Sequence, residues 1–387
     1  VSALADGPVQ YGLTPEQEDL RAMIRSLATD RIAPRAAAID ASGEFPQDVR
    51  GLLAEHDLFA LPFEERHGGT GTGALMTAVA IEEIAKACAS SALMLAVQDL
   101  GTLPIRLDGS AELQDRVLPR FASGEWLAAF ALSEPDAGSD AGALRSRARR
   151  AEGGWTLSGA KNWISNAGVA AAYAVFAVTD PSLPASQGMT AFLVDADSPG
   201  FSVAGLEHKM GMRGSPTGQL VFDEVFVADQ NVIGQVGDGF KVAMRTLDRS
   251  RLGIAAQALG IAQGATDYAA GYARERTAFG KPINQLQAIQ FKLADMETGT
   301  AAARELLYRA ATKADNNEPD LGKYSAMAKL FCSDTAMAVT VEAVQVLGGY
   351  GYVTEYPVER MMRDAKLTQI YEGTNEIQRV VIGRSLR

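Results

Sequence analysis

Asp364-Ala-Lys-Leu-Thr-Gln-Ile-Tyr-Glu-Gly-Thr-Asn-Glu-Ile-Gln-Arg379 sets a single carboxylate, Glu372, between an apolar-aromatic lead (Ile370, Tyr371) and a Gly373-Thr374-Asn375 turn. Apolar residues at helical spacing follow: Ile377, Val380 and Val381. These residues alone leave two readings open. One is an ordinary helix start, with Thr374 as N-cap and Gly373 in the preceding turn. The other is a carboxylate held among apolar neighbours, where desolvation raises its pKa and suits it to act as a base.

Working outward, the 387 residues suffice for two or three domains with sizeable cores. Hydrophobic residues make up 47% and charged residues 21%, the balance of a soluble globular chain. A formal net charge of −11 argues against a general nucleic-acid role. Cys88 and Cys332 form no metal or CxxC pattern and read as small buried apolar residues in a reducing compartment. The three histidines (His56, His67, His208) lack metal-ligand spacing, so no metal site is expected. Val1 to Gly12 shows no basic region followed by an apolar core, and no charge-free apolar run reaches membrane length. Stable membrane insertion is therefore not expected. A bacterial cytoplasm is, with a mitochondrial matrix as the alternative if a leader has been removed.

The first third reads helical. Thr14-Pro15-Glu16-Gln17 is a capping box with proline at the first helical position, opening a helix to about Ile32. A second helix starts near Pro46 with Val49, Leu52 and Leu53 on one face, and others cover 74–87, 91–107 and 111–123. Glu82 and Glu83 read as surface residues of the first of these three. The glycine-rich run Gly68–Gly73 lacks both the phosphate-loop Lys-Ser/Thr and the dinucleotide spacing, so it reads as a loop. At Gly124 the pattern changes to short strand-like runs over 144–151, 154–158, 173–179, 189–194 and 219–227. Near Gly237 it returns to helix: 240–274, 283–313, 323–347, 358–364 and 374–385, a bundle signature. Four arginines (Arg145, Arg147, Arg149, Arg150) near-alternate on a strand and read as a solvated face.

Motifs at intervals along this frame carry a resemblance. In order they are Ser133-Glu134-Pro135 with Gly138-Ser139-Asp140, Trp163-Ile164-Ser165, Gly211-Met212-Arg213, Arg276-Thr277-Ala278-Phe279-Gly280-Lys281, Gln345-Val346-Leu347-Gly348-Gly349-Tyr350-Gly351 and Tyr371-Glu372-Gly373-Thr374. Over nearly its whole length the chain resembles the acyl-CoA dehydrogenase family, most closely its short- and medium-chain, butyryl-CoA dehydrogenase-like members. The resemblance implies a mainly α fold with a central β domain. Its parts are an N-terminal helical domain (1–123), a middle β-barrel (124–235) and a C-terminal four-helix bundle (236–387).

FAD is then implied between the middle and C-terminal parts, bordered by Leu132, Ser133, Trp163, Ile164 and Ser165 and touched again by Thr374 and Glu376. Arg276, Phe279, Gln287, Gln345, Gly348 and Gly349 would hold the FAD of a neighbouring copy in a homotetramer, a dimer of dimers. Ser139, Asp248, Arg251, Tyr371, Gly373 and Arg384 are implied on the acyl-CoA side. Glu372 would take the α-proton of the thioester, a weak acid that needs both a base and donors to its carbonyl oxygen. Hydride would leave the β-carbon for the flavin, giving a trans-2-enoyl-CoA, with electrons passed to electron-transfer flavoprotein.

Some family members take the catalytic Glu from the long helix that opens the bundle; here Ser250 stands at that place, in Leu247-Asp248-Arg249-Ser250-Arg251. Glu372 is thus the expected base, and a short straight acyl chain the expected substrate. Leu93, Gln98, Leu247, Ser250 and Tyr371 are the expected pocket lining by family analogy. A short branched acyl group is the alternative. Two further readings are an oxidase-like enzyme, which the compact length argues against, and a non-catalytic flavin-bearing scaffold, which the retained Glu372 argues against.

Overall fold

The computed structural model describes residues 12–387; residues 1–11, most of the stretch read for a leader, lie outside them. The Thr14 capping box forms as expected: Gln17 N donates to Thr14 Oγ1 at 3.2 Å and Thr14 N donates to Gln17 Oε1 at 3.0 Å. Helix α1 (Pro15–Leu27) passes through a wide turn at Ala28–Ile32 and a tight one at Ala33–Arg35 into α2 (Ala36–Ser42), closed by Gly43 at φ 67°. The sequence predicts no helix there. Pro34 sits at the start of a new turn, where its missing N–H costs nothing, so it does not end the helical run. Next come α3 (Gln47–Glu55), α4 (Gly73–Ala87), α5 (Ala89–Asp108) and α6 (Ala111–Ala122).

The middle part holds β1 (Ala128–Ala131), β2 (Arg147–Ala151), β3 (Gly154–Ser165), β4 (Ala172–Val178), the single-turn α7 (Ala185–Gly188), β5 (Met189–Asp195), β6 (Phe201–Leu206), β7 (Thr217–Ala228) and β8 (Val232–Ile233). The expected closed barrel is corrected to an open sheet, of order β6-β7-β3-β2-β4-β5-β8 with β1 parallel to β4. One Cα pair, Arg147↔Val178, joins its two halves, so the sheet folds over there rather than closing. Among the described residues β6 and β8 do not pair: β8 is two residues long, and β6 is mostly solvent-exposed. The inner faces share one core, with Trp155 against Phe192 at 5.9 Å and Tyr173 against Phe201 at 4.8 Å. β6 escapes the sequence reading because only Phe201 and Val203 face inward.

The C-terminal part is α8 (Gly239–Glu275), a short hairpin of β9 (Thr277–Ala278) and β10 (Lys281–Pro282), α9 (Gln287–Asp315), α10 (Leu321–Leu347), α11 (Pro357–Thr368) and α12 (Asn375–Arg384). Small residues let α8 lie close on α4. A Cβ on Gly260 would stand 2.3 Å from the Glu82 carbonyl oxygen, and one on Gly264 2.5 Å from that of Lys86. Helices α1 to α5 and α8 to α11 share one hydrophobic core. By hydropathy α10 is long and apolar enough to cross a bilayer, yet here it is the inner helix of the bundle, packed on α8, α9, α11 and α12.

Glu82 and Glu83 are buried, which corrects their expected place on the surface. Glu83 accepts from Arg21 (3.0 Å) and Arg25 (2.9 Å), and Glu82 from Arg304 (2.9 Å) and Tyr308 (2.7 Å). Burial pushes the Glu83 carboxyl up, but Arg25 and Lys86 outweigh it and hold the pKa at about 2. Their partners come from α1 and α9, far away in sequence, so local pattern gives no sign of them.

Candidate active site

The helix-start reading of the Glu372 stretch holds, and the carboxylate just before it stands in a desolvated place. Thr374 caps α12, its Oγ1 accepting from Ile377 N at 3.5 Å, and Glu372 sits on the turn before it. Glu372 (φ 53°) and Gly373 (φ 89°) are both left-handed. For glutamate that conformation costs roughly 1–3 kcal/mol and persists only where surrounding contacts enforce it. Here Gln378 Nε2 donates to the carbonyls of Gly373 (2.7 Å) and Glu372 (3.3 Å), and Lys329 Nζ to that of Gly373 (2.9 Å). Among the described residues the Glu372 N–H meets no acceptor.

The Glu372 carboxylate is reached from α8. Ser250 Oγ donates to its Oε2 at 2.6 Å. Burial raises the Glu372 pKa to about 7, against that hydrogen bond and the nearby Arg251 charge, which both pull it down. The predicted pair Asp248 and Arg251 lies on the same helix: buried Arg251 donates to Asp248 Oδ1 at 2.7 Å, and its Nε has no partner. Tyr371 donates its hydroxyl to Gln257 Oε1, and Gln257 Nε2 in turn donates to the Ala89 carbonyl at 2.8 Å and faces Met212 Sδ at 3.5 Å. Met212 N donates to the buried Asp364 at 2.5 Å. Burial lifts the Asp364 pKa to about 7. A Cβ on Gly211 would stand 2.6 Å from Asp364 Oδ1, which is why glycine precedes Met212. The Gly211-Met212-Arg213 motif is thereby tied to the start of the Glu372 stretch and, through Gln257, to Tyr371 beside the carboxylate.

The two middle-domain motifs form one unit. Asn162 N donates to the Ser133 carbonyl at 2.9 Å, and buried Lys161 donates to the Leu132 carbonyl (3.1 Å) and to Glu134 (2.8 Å). Glu134 also accepts from the N–H groups of Arg145 (2.6 Å) and Ser146 (3.0 Å). Ile164 is buried and Ser165 pairs with Thr217 in the sheet. Trp163 is left-handed at φ 62° and 59% exposed, so its ring stands out from the strand instead of packing as a strand-end Trp would. The Asn162 Oδ1 beside it is buried, with no partner among the described residues. A free aromatic face next to an unsatisfied acceptor fits a planar heterocycle that brings its own donors. Ser139 lies in the exposed turn beyond.

A third group stands apart. Phe279 (φ 52°) and Gly280 (φ 76°) make the two-residue turn of the β9–β10 hairpin, and Phe279 is 92% exposed at its tip. The Arg276 guanidinium lies over the Tyr350 ring at 5.4 Å, joining the hairpin to the Gly348–Tyr352 turn. Gln287, Gln345 and Gly349 are exposed, and Gly348 at φ 62°, ψ −133° needs to be glycine. No hydrogen bond or ion pair among the described residues links Arg276, Phe279, Gln287 or Gln345 to the Glu372 turn. Glu376 and Arg384 are exposed on α12.

Gln98, expected as pocket lining, is a structural brace between α5, α6 and β1. Its amide is fully used on backbone, donating to Phe121 and Trp126 carbonyls and accepting from Ala128 N, each at 2.8 Å. Sequence reasoning missed Gln257, Lys329 and Asp364. Two signals were available: Gln257 lies two helical turns beyond Ser250 on one face, and Lys329 is a lone charge in the apolar run Ala326–Cys332.

Comparison with known proteins agrees with this geometry along the chain. Three family models match: "Acyl-CoA dehydrogenase, N-terminal domain" over residues 14–125, "middle domain" over 129–225 and "C-terminal domain" over 237–387. The chain is 48% identical over 376 residues to the "Probable acyl-CoA dehydrogenase FadE25" of Mycobacterium tuberculosis, covering 97% of this chain and 96% of the relative. It is 47% identical to the cyclohexane-1-carbonyl-CoA dehydrogenase of Geobacter metallireducens, covering 94% and 95%. The solved butyryl-CoA dehydrogenase of Megasphaera elsdenii superposes with a TM-score of 0.95 at 42% identity, covering 98% and 100%.

Proposed function

Because this chain belongs to the acyl-CoA dehydrogenase family of FAD-dependent oxidoreductases, we propose that it oxidises a short acyl-CoA thioester to the trans-2-enoyl-CoA with Glu372 as base. The observation that carries the reading is the half-buried Glu372 carboxylate, raised to about 7 and held at 2.6 Å by Ser250, on a turn whose own N–H is free among the described residues. A base poised near the working pH takes a proton efficiently. As the α-proton passes to a Glu372 carboxylate oxygen, negative charge grows on the thioester oxygen, where the Glu372 N–H is available to donate. FAD, when bound, supplies the acceptor for the β-hydride. Leu132, Ser133, Trp163, Ile164, Ser165, Thr374 and Glu376 would hold it in one copy. Arg276, Phe279, Gln287, Gln345, Gly348 and Gly349 would reach it from the next, in a homotetramer. Phe279 is the most exposed of the large hydrophobic side chains among the described residues, which supports that division. The acyl-CoA side would use Ser139, Asp248, Arg251, Tyr371, Gly373 and Arg384. Electron-transfer flavoprotein is the proposed acceptor, and a bacterial cytoplasm the proposed setting, in keeping with the bacterial relatives.

Likeness to butyryl-CoA dehydrogenase supports a short acyl chain. A second reading, a ring-bearing or branched acyl group, is supported by the Geobacter relative. The test is an absorbance scan of the holoenzyme under anaerobic conditions with butyryl-, isobutyryl-, cyclohexane-1-carbonyl- and lauroyl-CoA. Bleaching of the flavin fastest with butyryl-CoA supports the first reading. Bleaching by the ring or branched thioester alone supports the second, and no bleaching by any of them refutes both.

A further inference from the structure

We infer that Lys329 is a positioning residue for Glu372, its buried ammonium group holding the left-handed turn that presents the carboxylate. The inference rests on the proposed role of Glu372. Lys329 is fully buried in the inner helix of the bundle, between Ala328 and Leu330. A buried cation is costly unless its donors and charge are compensated. Among the described residues no carboxylate lies within ion-pair distance of it. Its Nζ instead donates to two neutral oxygens, the Gly373 carbonyl and Asn375 Oδ1, each at 2.9 Å. Both lie within three residues of the base, on its C-terminal side.

Asn375 is itself oriented for this. Its Nδ2 donates to Ser333 Oγ at 2.9 Å and Asp334 Oδ1 at 2.7 Å, which turns Oδ1 toward Lys329. Ser333 is one helical turn from Lys329 on α10, so one face of that helix grips the turn at both ends. A methionine would fill this space without the charge; what lysine adds is donors and a cation beside the base. The charges around Lys329 are Glu372 first, then Arg251 on α8, Asp334 on α10 and Glu376 on α12. Burial lowers the Lys329 pKa to about 7 and raises that of Glu372 to about 7, so each favours the charged form of the other in the same pH region.

The experiment compares wild-type, Lys329→Met and Lys329→Gln holoenzymes for FAD content, KM for butyryl-CoA, and the pH dependence of the rate of flavin reduction. For Lys329→Met, FAD content and KM stay within about threefold of wild type while the rate at pH 7 falls about tenfold or more, as for loss of an orienting group. Its acidic limb moves to higher pH by about half a unit or more, because the carboxylate has lost a neighbouring cation. Lys329→Gln, which keeps a donor but no charge, recovers part of the rate and none of the limb shift. A purely structural lysine would lower FAD content and stability without moving the limb. A limb and rate like wild type in Lys329→Met overturn the inference. If that variant does not fold, an unshifted limb in Lys329→Gln does the same. Failure of wild type to bleach with any acyl-CoA would overturn the proposed function itself, a separate outcome.

Discussion

Replacing Ser250 by alanine isolates what one hydrogen bond does to the base. Ser250 Oγ donates to Glu372 Oε2 at 2.6 Å, a short bond to a charged acceptor in a partly buried setting. Such bonds contribute about 1.5–3 kcal/mol. At about 1.4 kcal/mol per pKa unit, their loss raises the carboxyl by roughly one to two units above its present value of about 7. At pH 7 the ionised fraction then drops from roughly a half to roughly 1–10%, and flavin reduction slows about 5- to 50-fold. Above the shifted pKa the carboxylate is present again and the two enzymes converge to within about threefold. The assay is anaerobic stopped-flow mixing with butyryl-CoA, following flavin absorbance between pH 6 and 10. An unshifted acidic limb would refute the reasoning. A loss of rate equal at every pH would mean that Ser250 sets the position of Glu372 and not its proton affinity.

Three further outcomes follow from the same structure. Glu372→Gln stabilises the fold at pH 8: the folded carboxyl is raised from 4.5 to about 7, so its cost grows as pH rises through that window, reaching at most ~3 kcal/mol before solvent screening. The gain in melting temperature vanishes near pH 4.5, and a gain independent of pH would contradict it. Lys161→Met leaves Glu134 buried without its cation, costs about 3–5 kcal/mol in chemical denaturation and loosens the Ser133 segment, so FAD content falls; unchanged denaturation would count against that pairing. Phe279→Asp places a charge at the exposed hairpin tip, and size-exclusion chromatography should show smaller assemblies with less flavin, whereas a native-sized, fully yellow protein would argue against a hairpin that reaches a neighbour.

Local signals in the sequence were read correctly where they act locally. The Thr14 capping box and Glu372 on a Gly-containing turn before a capped helix both appear as expected. What escaped depends on partners distant in sequence. Glu82 and Glu83 look like helix-surface charges until α9 and α1 bring Arg304, Tyr308, Arg21 and Arg25 to them. The Gln98 amide bonds three backbone groups 23 to 30 residues away, a bracing role that no local pattern announces. Sheet closure depends on how the edge strands meet, and a single Arg147↔Val178 pair between the halves has no sequence signature. The motifs of the site were legible as separate pieces; the hydrogen bonds from Ser250, Gln257 and Lys329 that join them were not.

The measurement that tests the central claim most directly is anaerobic mixing of wild-type and Glu372→Gln holoenzymes with butyryl-CoA, recording flavin absorbance and enoyl-CoA formation together. Glu372 as base predicts that the variant keeps its FAD and binds the thioester, yet neither bleaches nor forms enoyl-CoA, while wild type does both. Bleaching of Glu372→Gln at a rate near wild type would contradict it and move the base to another residue.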